Sequence, residues 1–119
     1  MENNTNLCCE ISHKSQKWKP FKVNGLQAGQ EIVLKKTKLV HNNFSSGFWS
    51  HKPEDDPSGL PYEVPGIEAI FIVQGEAEVI ESNGNKILLQ EGNSYSFSNG
   101  FKGTWITKKP LIKFSVSVK

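Results

Sequence analysis

From residue 67 onward the chain is a series of short apolar segments cut by turn signals about every 8–12 residues. None is long enough for a helix of ordinary length. That spacing restricts the fold to an antiparallel sandwich or barrel. Residues 67–74 are almost continuously apolar, the pattern of a strand covered on both faces. Residues 76–82 and 85–90 flank Asn83-Gly84, the favoured pair for a type I′ hairpin turn, in which both central residues take positive φ. Glu91-Gly92-Asn93 marks a further turn, and Tyr95 and Phe97 share one face of a short strand. A strand over 104–107 is expected to end at Lys108-Lys109-Pro110. Residues 111–118 alternate without a break: Ile112, Phe114, Val116 and Val118 on one face, Lys113, Ser115 and Ser117 on the other.

The first half is less regular. Residues 31–40 read as a strand, with Ile32, Leu34 and Leu39 among lysines, and 44–51 as another that carries Phe48 and Trp49. Asn24-Gly25 and Ala28-Gly29 are turn signals. Residues 1–15 are polar, a terminal arm. The apolar group Trp18, Pro20, Phe21 and Val23 is expected to lie over the outside of the barrel. Between 51 and 66 stand Pro53, Pro57, Pro61 and Pro65, with both aspartates of the chain, Asp55 and Asp56. Such a segment is neither a helix nor a central strand. It reads as a long loop with extended pieces, of the kind that carries function. The expected organisation is an arm and lead-in strand over 1–30 and a single all-β barrel domain over 31–119.

Several function classes fall away on composition. The 119 residues suit one domain with a proper core. No apolar run approaches the roughly 20 residues of a membrane span. Residues 1–10 lack the apolar stretch of a secretory signal. The expectation is a cytoplasmic protein without membrane partners. Cys8 and Cys9 are adjacent, a poor geometry for a disulfide, and read as free thiols in a reducing compartment. All 14 basic residues are lysine, and the net charge is only +2. Arginine is the usual reader of bases and phosphates, so nucleic acid is an unsuitable partner. The cluster Lys35-Lys36-Thr37-Lys38 reads as a guarded edge strand.

Two spacings carry a resemblance. Glu68 precedes Gly75 with six residues between, and Gly92 opens a run that continues through Gly100-Phe101-Lys102-Gly103-Thr104-Trp105. These resemble the two signature motifs of the cupin superfamily. With Gly47-Phe48-Trp49 and Lys113 they are similar to the ureidoglycine aminohydrolase-type cupin subfamily. The resemblance covers roughly 35–118. It implies a double-stranded β-helix, or jelly-roll barrel, whose interior holds the site. It also implies metal ligands that this chain lacks. The usual histidine pair falls on Pro61 and Glu63, or on Tyr62 and Val64. Gly103 stands in the third histidine position and Thr107 in the asparagine position. Glu68 alone survives of the standard four ligands, so the manganese-dependent activity of that subfamily is not transferred.

Glu68 is the best candidate for a catalytic or binding role, because a carboxylate in an apolar strand needs a partner. It is expected to meet Lys113 inside the barrel, with Tyr62 or Trp105 donating further hydrogen bonds. Trp49, Tyr62 and Trp105 are expected walls of a pocket for a small polar ligand. Three readings remain open: a small-molecule-binding protein or enzyme of unspecified reaction, a non-catalytic structural or regulatory cupin with a filled barrel, and a metal-dependent enzyme with unconventional ligands. For the third, His51, Glu63 and Glu68 are weak candidates, or His51 with Glu54, Asp55 or Asp56 for a divalent metal. No resident cofactor is expected. On the strand 67–74, Glu68, Ile70 and Ile72 face one way and Ala69, Phe71 and Val73 the other. The second face must be covered by the arm or by another subunit, and the resemblance points to a homodimer.

Overall fold

Two long strands, each bent in the middle, organise the molecule. The computed structural model describes residues 7–119. In chain order the strands are β1 (Lys19–Val23), β2 (Leu26–Lys38), β3 (Asn43–His51), β4 (Leu60–Val64), β5 (Ile67–Glu81), β6 (Lys86–Gln90), β7 (Ser94–Phe97) and β8 (Phe101–Val118). The helical structure among the described residues is one 3-10 turn, Pro53–Asp55. No helix of the described residues is long and apolar enough to cross a membrane. All pairings are antiparallel, in the order β1-β2-β3-β8-β5-β6, with β4 also on β8 and β7 also on β5.

β5 and β8 pair along nearly their whole length, from Ile67↔Val118 to Glu81↔Gly103. The sequence pattern had divided each of them in two. Gly75 and Lys108-Lys109-Pro110 are not strand ends but the bend. The register shifts between Ile72 and Ala77, and neither Gly75 nor Pro110 has a ladder partner there. A missing N–H at Pro110 therefore costs no cross-strand bond. Gly75 has φ +90, and a Cβ on it would lie 2.2 Å from the Pro110 carbonyl oxygen. β5 and β8 pass too closely for any side chain at this point. The bend lets one half of β8 pair with β3 and the other with β4, which closes the barrel.

The hairpins show what sets turn type. Asn24 and Gly25, with φ 52 and 82, form the two-residue type I′ link between β1 and β2. Asn83-Gly84 does not. Only Gly84 is left-handed there, at φ 93, and the Gly84 N–H donates to Glu81 O at 2.8 Å. This is a three-residue loop with a glycine bulge. Asn83 keeps a negative φ because its Oδ1 accepts the Asn85 N–H at 2.9 Å, a local bond that holds the turn in its right-handed form.

The lead-in strand differs from expectation. Phe21 packs against the interior cluster rather than over the outside. The core comprises Trp49, Val64, Ile70, Ile72, Ala77, Val79, Leu89, Phe97, Trp105 and Leu111. The outer face of β5 stays open within one chain, with Ile67 61% and Phe71 41% exposed. The apolar run 67–74 is thus covered on the Ile70 and Ile72 side only.

The bend supplies a stability test. Gly75→Ala is expected to destabilise the fold by more than about 2 kcal/mol in urea unfolding, from backbone strain plus collision with Pro110. Gly84→Ala, where nothing lies within 4 Å, is expected to cost only the φ penalty of roughly 1 kcal/mol. Equal losses would remove the close crossing from the account.

Candidate functional site

The second half of β8 turns its polar face inward. Lys113, Ser115 and Ser117 point into the barrel, and Lys113 and Ser117 are buried, whereas Ile112, Phe114 and Val116 lie on the outer side. Cross-strand register then fixes the neighbours. Trp49 on β3 and Ile72 on β5 flank Lys113, and Ser45 and Glu68 flank Ser117. β4 brings Tyr62 opposite Gly103, and Leu60 opposite Trp105.

Of these, Ser45, Trp49, Leu60, Tyr62, Glu68, Trp105, Lys113, Ser115 and Ser117 line one cavity of about 510 Å³. Glu68, Lys113, Tyr62, Trp49 and Trp105, the five residues expected from the sequence, all border it. Lys113 Nζ lies 3.7 Å from Glu68 Oε2, with the two side chains 8% and 17% exposed. Three rings surround the ammonium, their centroids at 4.6 Å for Trp105, 5.0 Å for Trp49 and 5.3 Å for Tyr62. Such an arrangement attracts a cation through the ring quadrupoles. The Tyr62 hydroxyl donates to Glu68 Oε1. Trp105 does not donate to Glu68; its indole N–H goes to Thr107 Oγ1 at 3.0 Å.

The electrostatics follow from burial. Desolvation pushes the Lys113 amine below the usual lysine range, and the Glu68 charge opposes that shift. Desolvation also raises the Tyr62 phenol, and the adjacent Glu68 carboxylate raises it further by charge and by accepting its proton in a hydrogen bond. Tyr62 is therefore held as a neutral donor well above the ordinary tyrosine range.

Behind the rings is a second layer that the sequence did not reveal. His51 is 2% exposed and stacks on Trp49, with centroids 4.9 Å apart and planes 13° apart. Its Nδ1 contacts Thr107 Oγ1 at 2.7 Å and its Nε2 contacts Asp56 Oδ2 at 2.8 Å. An ionised Asp56 can only accept, so His51 Nε2–H donates to it; in the neutral ring Nδ1 then accepts from the Thr107 hydroxyl, whose oxygen also accepts the Trp105 N–H. The Trp49 indole N–H donates to Ala28 O at 2.7 Å. Both indoles are thus fixed from behind. Thr107 is the hub, and its only sequence signal was its position in the second motif.

The unconventional ligand set is not assembled. Both His51 nitrogens are engaged away from the cavity, while Glu63 and Glu68 border it. Asp55 accepts the Lys52 backbone N–H at 3.0 Å and Asp56 holds His51, so the acidic loop forms no oxygen-rich site. Among the described residues no three His, Cys, Asp or Glu side chains are grouped to hold a metal ion. Gly103, in a usual ligand position, lies so close to β5 that a Cβ would be 2.6 Å from Ile80 O. A histidine has no room there. Glu68, the one surviving ligand, is already held by Tyr62 and faces a lysine ammonium. These residues do not fit the metal centre that the motifs imply elsewhere. Cys8 and Cys9 are exposed and free and do not line the cavity.

Alkaline absorbance checks the raised phenol. In folded protein at about pH 10.5, Tyr62→Phe is expected to leave the phenolate absorbance unchanged, since Tyr62 is not ionised there. A smaller phenolate signal in the variant would show an ordinary phenol.

Comparison with known proteins places this geometry. The family described as "EutQ-like cupin domain" matches residues 41–114, more than half of the chain. No curated protein sequence matches. Among solved structures, the chain is similar to the Fe(II) form of HppE with a TM-score of 0.69 at 12% identity, over 97% of this chain and 62% of that one. It is similar to the EutQ protein of Clostridium difficile with a TM-score of 0.54 at 14% identity, over 72% and 61% respectively. A cupin-2 domain protein from Shewanella frigidimarina matches with a TM-score of 0.55 at 14% identity, over 78% and 83%. At these identities the structural likeness speaks for the fold alone, a β-barrel of the jelly-roll type. The matched residues include β5, Glu68, the bend and Lys113, and on that match the chain belongs to the EutQ-like cupin domain family.

Proposed function

We propose that this cupin domain binds a small polar molecule in its barrel. Glu68 is the principal polar group, Lys113 its electrostatic partner, and Trp49, Tyr62 and Trp105 are the walls. The observation that carries this reading is the cavity itself. A barrel closed by side chains has no use for about 510 Å³ of space beside a buried ion pair. Burying charge is costly, and packed apolar residues do the structural work as well or better. A paired carboxylate and ammonium at the wall of a cavity are therefore best explained by what they bind. Binding is favoured over a named reaction, because neither acid–base chemistry nor a nucleophile is specified by this set.

The same reading dispenses with a resident metal ion, since the Lys113 ammonium takes the cationic place. We also place the chain near the ureidoglycine aminohydrolase-type cupins. Gly47, Phe48, Trp49, Trp105 and Lys113 border this one cavity, and Gly103 makes a close backbone contact with β5. The manganese chemistry of that group does not come with them. A second copy of the chain is the proposed cover for the outer face of β5, where Phe71 and Ile67 remain exposed beside Phe114 and Val116 of β8.

One measurement addresses all three parts. Native mass spectrometry of protein purified without chelator or nickel resin is expected to give a dimer. Each chain is expected to carry a small organic adduct released on denaturation, with no metal mass. Protein that arrives empty and binds nothing from a cell extract would favour the filled, structural reading. One metal ion per chain would restore the metal-dependent one.

A further inference from the structure

The chemistry of the ligand can be narrowed from what the ion pair leaves unsatisfied; this step rests on the binding reading above. Lys113 is 7% exposed, yet no described residue accepts a hydrogen bond from it. Its contact with Glu68 at 3.7 Å is longer than a hydrogen bond, and the rest of its shell is the faces of three rings. No side-chain nitrogen or oxygen among the described residues is sealed without a partner. Lys113 borders the cavity. On the other side of the gap Glu68 Oε1 is taken by Tyr62, while Oε2 has only the distant ammonium. The wall thus offers an N–H donor and an oxygen acceptor side by side, each lacking a hydrogen-bond partner.

Charge decides what fits between them. The cavity lining carries three lysines, Lys36, Lys113 and Lys119, and three glutamates, Glu31, Glu63 and Glu68. A carboxylate on the ligand would face Glu68, and an ammonium would face Lys113, inside a site that is already balanced. An uncharged group with an acceptor and a donor adjacent avoids both repulsions. Geometry agrees. In a carboxamide the oxygen and nitrogen are about 2.2 Å apart by ordinary bond lengths. With hydrogen bonds of about 2.9 Å on either side, such a head spans groups separated by this gap.

We infer that the ligand enters with an uncharged, planar head group of the carboxamide class, its carbonyl oxygen accepting from Lys113 Nζ and its N–H donating to Glu68 Oε2. The rings of Trp49, Tyr62 and Trp105 then serve the lysine rather than a ligand cation. Their faces are already turned to Nζ, so the site selects against small ammonium compounds although it resembles a box for one.

Three probes of one shape and different charge test this on the wild-type chain: acetate, acetamide and acetamidinium. The readout is the indole N–H resonances of Trp49 and Trp105, titrated at constant ionic strength. Acetamide is expected to shift both resonances saturably, and to bind at least about tenfold more tightly than either charged probe. Glu68→Gln is expected to move the preference toward acetate, since the repelling charge is gone. If that variant does not fold, the wild-type series alone decides. Tighter binding of acetate or acetamidinium overturns the inference and leaves the binding reading standing. So does an absence of response to all three probes while the native protein carries another adduct.

Discussion

A lysine ammonium enclosed by three aromatic rings and one carboxylate is the constraint to which the rest of this barrel answers. Removing an ammonium from water costs several kcal/mol even after relaxation. One carboxylate at 3.7 Å does not offset that alone, because Glu68 is itself partly desolvated. Ring faces add about 2 kcal/mol or more in a dry setting, but only if they hold their orientation. That requirement accounts for the second layer. Trp49 is tied to Ala28 O and stacked on His51, and Trp105 is tied to Thr107. His51 in turn joins Thr107 to Asp56 and anchors the proline-rich segment to the barrel wall.

The backbone serves the same end. Gly103 lets β8 approach β5 closely enough to set Trp105 beside the lysine, and a Cβ at Gly47 would stand 2.3 Å from Ile32 O, so β3 and β2 meet just as tightly below Trp49. The bend at Gly75 and Pro110 allows one strand, β8, to present both Trp105 and Lys113 to a common interior while pairing with β4 at one end and β3 at the other. At the positions where the resemblance implies histidine ligands this chain has Gly103 and either Pro61 and Glu63 or Tyr62 and Val64, and the cation beside Glu68 is Lys113.

Much of this was legible in the sequence, for identifiable reasons. Strict alternation over 111–118 settled which residues share a face with Lys113, and the apolar context of Glu68 announced that it needed a partner. The five expected wall and charge residues converge because register follows from alternation once the barrel is recognised. Alternation alone left open whether Lys113 pointed to solvent or inward. Only closure of the barrel answers that, by placing Phe114 and Val116 outside. The strand breaks at Gly75 and at Lys108-Lys109-Pro110 were misread because a bulge and a turn use the same residues, and only a partner strand tells them apart. The Asn83-Gly84 turn was misread because an Asn side chain can bond its own backbone and keep a negative φ. His51 could be offered only as a weak metal candidate, because its partners, Asp56 and Thr107, are brought to it by a loop and by a strand 56 residues away. No local pattern records that contact.

The central claim is that Glu68 and Lys113 are energetically one unit. A double-mutant cycle with Glu68→Gln and Lys113→Met, read by urea unfolding, tests it most directly. Each single change is expected to cost roughly 3 kcal/mol, because it leaves the other charge buried and unpaired. The double variant is expected to recover part of that loss, giving a coupling of at least about 1 kcal/mol. Additive losses, with no coupling between the two positions, would contradict the account.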